Sequence, residues 1–229
     1  MPNLSTSDLS RLPEIPRLRA LFQSLAMLDA LLSPEWERRR HSFNSHWGAD
    51  EQLASVRIRP DNLFALFRPQ GCLVKGFAHD APLAGMAGPR SKALFLGLPS
   101  EFLACLREPA LASSQTTFCI WRRSTDPHWT AQQFPETALQ AIPVRKDPPD
   151  DASKSTDPDG SQSLLSLLDG EPESYRAWAE SFYQRALPSA VLAAIYEHQP
   201  LTEELVRSIN PRLSLRNLQD DVREIGYPV

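Results

Sequence analysis

The sequence predicts an α+β fold: an N-terminal helix, an antiparallel β-meander sheet and a helical C-terminal third. Three observations point there. Leucines recur at spacings of three and four near the N-terminus, short strand-like runs separated by proline turns fill residues 52–78, and helical stripes return after Pro172.

Residues 1–13 are polar and proline-containing and read as a loose arm. Leu18, Leu21, Leu25, Leu28 and Leu32 then form one stripe, widened by Phe22, of an amphipathic helix. Pro34 stops it, because the residue before a proline avoids the helical region. The stripe covers too few heptads for a coiled coil. From Trp36 to Trp47 there is no helical stripe. An extended segment there sends Arg38 and Arg40 to one face and Arg39 and His41 to the other.

Gln52–Arg59 alternates, with Ala54, Val56 and Ile58 on one side, and Asn62–Arg68 is apolar on both sides, as a central strand would be. Cys72–Ala78 follows. The connectors Arg59-Pro60-Asp61-Asn62 and Arg68-Pro69-Gln70-Gly71 place proline second and a left-handed-tolerant residue fourth, which suits tight hairpin loops. Together these runs make an antiparallel meander. After a loop and an apolar run, Pro99–Arg107 reads as a short helix and Thr116–Arg123 as another strand.

Residues 143–160 hold four prolines, five aspartates and no aromatic. Such a stretch buries too little apolar surface to offset its ordering entropy, so it reads as a mobile surface loop without catalytic residues. It would join a helix-plus-sheet region, 1–142, to a helical region, 161–229, within one compact domain. Order is expected to resume near Asp159–Leu164. Beyond it, Tyr175, Trp178, Ala179 and Phe182 form a stripe after Pro172. Pro188 opens another helix with Val191, Leu192 and Ile195 inward. Thr202 reads as an N-cap and Asn210-Pro211 as a stop. Ser214 caps the last helix, which Gly226 terminates.

The chain has 229 residues, 41% hydrophobic and 23% charged. That balance excludes collagen-like, disulfide-scaffold and wholly disordered chains and leaves ample apolar material for a core. The net charge of −4 is unevenly spread: residues 1–123 hold 15 Lys+Arg against 11 Asp+Glu, and residues 124–229 hold 9 against 17. The acidic half disfavours nucleic acid and anionic lipid and favours a basic partner. Three cysteines without C-x-x-C spacing, no secretory signal and no apolar run near the ~18–20 residues of a membrane span point to the cytoplasm. Nothing in the sequence indicates an oligomeric state.

Five segments carry a resemblance: Ser33–Trp47 (SPEWERRRHSFNSHW), Gly71–Pro82 (GCLVKGFAHDAP), Thr117–Arg122 (TFCIWR), Asp159–Leu165 (DGSQSLL) and Glu224–Pro228 (EIGYP). From residue 20 onward the chain resembles a family of uncharacterised bacterial proteins. Arg40-His41 stands where aromatic residues are usual in that family. The resemblance implies no activity, cofactor or site residue.

Signatures of catalysis fail one by one. Gly85–Lys92 lacks the G-K-[ST] core of a phosphate loop, and Pro89 removes a backbone donor. His41 and His46 are five apart with no acid in register, and there is no G-x-S-x-G. The run Arg38–His41, flanked by Trp36 and Trp47, would suit nucleic acid, but Glu35 and Glu37 partly neutralise it. A helix-turn-helix over residues 202–225 would turn Asp220-Asp221 to phosphate. We therefore expect no catalytic residue, metal or cofactor. The best polar candidate is His79-Asp80 at a strand end, with Glu35, Arg40 and Asn44 as further ligand or partner contacts. The leading expectation is a non-enzymatic intracellular binding protein, in its sharpest form an immunity-like mask for a basic protein. The rival is a small enzyme or small-molecule binder built around His79 and Asp80.

Overall fold

A computed structural model describes residues 4–86, 94–132 and 157–229. The layout is α+β: an N-terminal helix, a six-stranded antiparallel sheet and C-terminal helices. The helices are α1 (Ile15–Leu32), α2 (Ser100–Leu103), α3 (Ser161–Leu165), α4 (Pro172–Tyr183), α5 (Ser189–Tyr196), α6 (Glu203–Ile209) and α7 (Gln219–Ile225). The strands are β1 (His41–Asn44), β2 (Gln52–Ile58), β3 (Asp61–Arg68), β4 (Gly71–Phe77), β5 (Phe118–Arg123) and β6 (Thr130–Ala131). Their spatial order equals their chain order, which makes the sheet a meander with β1 and β6 at its edges. In the register, His41 faces Val56 and Lys75 faces Cys119. Among the described residues no helix is long and apolar enough to cross a membrane.

Three local readings need revision. Residues 36–38 wind into a single 3-10 turn before β1, because the amides of Arg38 and Arg39 close onto the carbonyls of Glu35 and Trp36. The arm is docked rather than loose: Ser5 and Asp8 exchange two backbone hydrogen bonds, and Leu4 and Leu12 are buried. The end of the proline- and aspartate-rich segment, 157–160, is packed, with Asp159 buried. Residues 143–156 of that segment lie outside the described residues. So does most of the Gly85–Lys92 loop.

Contacts divide the chain into two units. The α1 unit comprises Leu12–Arg57, Leu66–Pro69 and Leu167–Val229; the β4–β5 unit comprises Met1–Arg11, Ile58–Ala65 and Gln70–Ser166. In the α1 unit, α1 is the central element. It packs against β1, α5, α6 and α7, and thirteen of its eighteen residues are buried, so its polar side chains must find partners inside. They do. Ser24 Oγ donates to the Ile195 carbonyl at the end of α5 (2.6 Å), and Gln23 Nε2 donates to Ile225 O and Gly226 O at the end of α7 (2.9 and 3.1 Å). The last carbonyls of a helix lack intrahelical donors, and α1 supplies them. Thr202 Oγ1 accepts from Leu205 N as read from the sequence, whereas Ser214 and Asn217 form a capping box on a 3-10 turn, Leu215–Leu218, that precedes α7 rather than on α7 itself.

In the β4–β5 unit, Gly76 lies so close to Phe118 that a Cβ there would meet the ring at 2.2 Å. Lys75 is buried on β4. Its Nζ donates to the Gln115 carbonyl (2.5 Å) and lies over the Phe64 ring (5.4 Å), and burial lowers its pKa to about 8, against a smaller opposing effect of Cys119. Cys72, Cys105 and Cys119 are all buried and none is in a disulfide. Burial pushes the Cys119 thiol up to about 12.

Candidate functional site

The most organised polar centre of the α1 unit is Asp29. The aspartate interrupts the apolar run of α1, and its carboxylate is fully buried. Four donors converge on it. Oδ2 accepts from the backbone N–H of Arg40 (2.7 Å) and His41 (2.8 Å) and from His41 Nδ1 (3.1 Å), and Oδ1 accepts from the Tyr175 hydroxyl (2.7 Å). The carboxylate thus satisfies donors at the start of the edge strand β1. Burial would raise the Asp29 pKa, but the pull of His41 and the hydrogen bonds outweigh it and hold it below the usual carboxylate value. Burial first, and then the Asp29 charge, push Tyr175 well above an ordinary phenol, so it stays a donor.

An Asp–His pair is the charge-orienting part of many hydrolytic sites. Here it is sealed. The His41 side chain is 1% exposed, His41 Nε2 is buried without a hydrogen-bond partner among the described residues, and the Trp178 ring meets the imidazole edge-on at 5.2 Å. A base that no substrate reaches organises structure rather than chemistry.

Next to this centre the α1 unit exposes a chain of stacked cations and rings. Trp178 stacks on Phe182 (5.3 Å, 9°), the Arg40 guanidinium lies over Phe182 (4.5 Å), and Arg40 Nη1 donates to the Arg57 carbonyl (3.0 Å). The Arg57 guanidinium in turn covers the Trp36 ring at 3.8 Å. Phe182 was expected on the inward stripe of its helix, yet it is 38% exposed, and Trp36 is 49% exposed.

The residues singled out in the sequence fall in both units. Glu35, Arg40 and Asn44 belong to the α1 unit, and His79 and Asp80 to the β4–β5 unit. Glu35 is exposed and pairs with Arg38 (3.7 Å). Asn44 closes β1, its Oδ1 accepting from His46 N (2.8 Å). His79 is exposed at the end of β4; its backbone N–H and Nδ1 both meet Asp61 Oδ1 (2.8 and 2.7 Å), and its Nε2 meets Asp80 Oδ1 (3.2 Å). Both ring nitrogens therefore have carboxylate partners. The described residues contain no group of three His, Cys, Asp or Glu side chains arranged to hold a metal.

Sequence reasoning gave Tyr175 and Phe182 only a packing role and missed Asp29 as a buried centre. The available signal was Asp29 itself, a charge inside an otherwise apolar stripe, which demands buried partners. No protein-family model, curated protein or solved structure matches this chain.

Proposed function

We propose that this is a non-enzymatic binding protein whose partner is a basic protein that docks on the stacked face of the α1 unit. One observation carries the reading: Trp36, Arg57, Arg40 and Phe182 form a continuous, partly exposed ladder, while the Asp29–His41 pair is sealed and His79 is paired with Asp61 and Asp80. Tryptophan and arginine are the residue types that dominate binding energy at protein interfaces. Their mutual stacking holds them in place before a partner arrives, which lowers the entropy cost of docking.

The sign of the partner follows from the helices of the same unit. Arg176 pairs with Glu173 and Glu180, Arg207 with Glu203, Arg223 with Asp220, and Arg39 with Asp221. These arginines are committed locally, and Glu171, Glu197, Glu204 and Glu224 remain exposed against Arg185, Arg212 and Arg216, which leaves a small excess of acid. Exposed acids on the helices of the unit speed and specify association with a basic surface. An immunity-like mask for a basic toxin is the sharpest form of this proposal.

The test is capture from native lysate at low and high salt with wild type, Trp36→Ala and Phe182→Ala, each checked for native circular dichroism. A basic protein held by wild type and weakened about 30-fold by Trp36→Ala supports the proposal. Absence of a partner at low salt, or a partner indifferent to both substitutions, overturns it.

A further inference from the structure

A second feature of the α1 unit lies at the turn joining β1 to β2. Residues 45–46 and 48–51 of that turn, Gln52 at the start of β2, Arg19 of α1 and residues 67–69 line a cleft of about 350 Å³. Its walls contain unmatched hydrogen-bonding groups. The Arg19 guanidinium lies 5.6 Å from the Phe67 ring centroid, and its Nε is buried without a partner. Among the described residues Arg19 makes no hydrogen bond or ion pair. Gln52 lines the same cleft, and its buried Oε1 has no hydrogen-bond partner either.

The other charged groups of the cleft do not answer Arg19. Glu51 is held by Arg68, with Arg68 Nε 2.8 Å from Glu51 Oε1. Asp50 is exposed on the lining. His46 also lines the cleft, and its Nδ1 is bonded to Ser45 Oγ (2.8 Å). Arg19 and Gln52 are half-buried side chains, and leaving Arg19 Nε and Gln52 Oε1 without partners is costly, a cost that one ligand bearing an anion and a donor relieves. The guanidinium fork matches the two oxygens of a carboxylate or phosphate. Its place over an aromatic face fixes the plane of the fork.

We infer that this cleft binds a small oxyanion, a carboxylate or a phosphate, which pairs with Arg19 while an O–H or N–H of the same ligand donates to Gln52. The site is separate from the stacked face and does not depend on the protein-binding reading. Asp50 sets a limit on it, because a carboxylate on the lining disfavours highly charged ligands over singly charged ones.

The experiment is a titration of the full chain, followed by NMR and thermal shift, with inorganic phosphate in one arm and the singly charged hydroxycarboxylate lactate in the other. The variants are Arg19→Gln, Arg19→Lys, Gln52→Leu and, as a remote control, Arg38→Gln. We expect saturable binding of at least one probe, weakened about tenfold or more by Arg19→Gln and unchanged by Arg38→Gln. Arg19→Lys keeps the charge but loses the fork, and it should fall between wild type and Arg19→Gln. Gln52→Leu should weaken lactate more than phosphate. If Arg19→Gln does not fold, Arg19→Lys and Gln52→Leu decide. Binding of neither probe at millimolar concentrations, or equal loss in the Arg38→Gln control, overturns the inference.

Discussion

Each unit is organised around buried aspartate, and the two solve the same problem differently. In the α1 unit Asp29 is a lone carboxylate that accepts from two backbone amides, an imidazole and a phenol. In the β4–β5 unit, Asp157 and Asp159 sit together at the start of α3. Asp159 accepts from Ser161 N (2.9 Å) and Thr6 Oγ1, and its carbonyl accepts from Thr117 Oγ1 (2.7 Å). Asp157 accepts from Gln162 N (2.8 Å). Four donors around one acid hold Asp29 ionised. Two acids sharing few donors do the reverse: burial first, then Asp159, push Asp157 up to about 6. The number of donors per carboxylate decides whether a buried aspartate strengthens its unit at neutral pH or strains it.

The largest expected effect comes from removing the Asp29 carboxylate. Asp29→Leu leaves two backbone amides, Tyr175 and His41 without their acceptor, and should cost about 3–5 kcal/mol in urea unfolding or prevent folding. A loss under 1 kcal/mol would show that water replaces the carboxylate. Because the folded pKa of Asp29 lies below the unfolded value, its contribution is complete above about pH 4 and disappears as pH falls through the folded pKa. Asp29→Asn should accordingly flatten the acid limb of the stability profile.

Gly160→Ala tests the second centre. Gly160 has φ +72°, and an added Cβ would lie 2.2 Å from the Ala78 Cβ. Overpacking costs about 1–3 kcal/mol, and the left-handed backbone adds about 1–2 kcal/mol. A native-like melting temperature would mean that α3 moves away from β4 at little expense.

Tyr175→Phe removes one of the four Asp29 donors and keeps the ring, so about 1.5–3 kcal/mol should be lost. The smallest effect is at Asp157. A raised folded pKa is favourable below the unfolded value and becomes unfavourable as pH rises through about 6. Asp157→Asn should therefore raise the melting temperature slightly at pH 7.5 and leave it nearly unchanged at pH 4. A gain at low pH instead would show that the aspartates do not share a proton.

The local grammar of the fold was legible. Leucine spacing placed α1, proline turns placed the meander, and Thr202 and Gly226 marked helix ends, because these signals act within a few residues. Strand β6 was not legible, since two residues carry no period. Neither was the pairing of distant groups. Asp29 meets Tyr175 across 146 residues and Thr6 meets Asp159 across 153, and no spacing rule reaches so far. The candidate site shows the same boundary. His79-Asp80 was visible as neighbours, whereas Asp61, the group that binds the imidazole, lies eighteen residues upstream on β3.

The three thiols give the molecule a stopwatch. Cys72, Cys105 and Cys119 are buried, and all lie in the β4–β5 unit. A thiol needs both exposure and ionisation to react, and Cys119, pushed up to about 12, has neither in the native state. Labelling by a thiol reagent must wait for the strands around it to part. The modification rate, read by mass spectrometry without any engineered probe, thus times the opening of that one unit while the cysteine-free α1 unit goes unmarked.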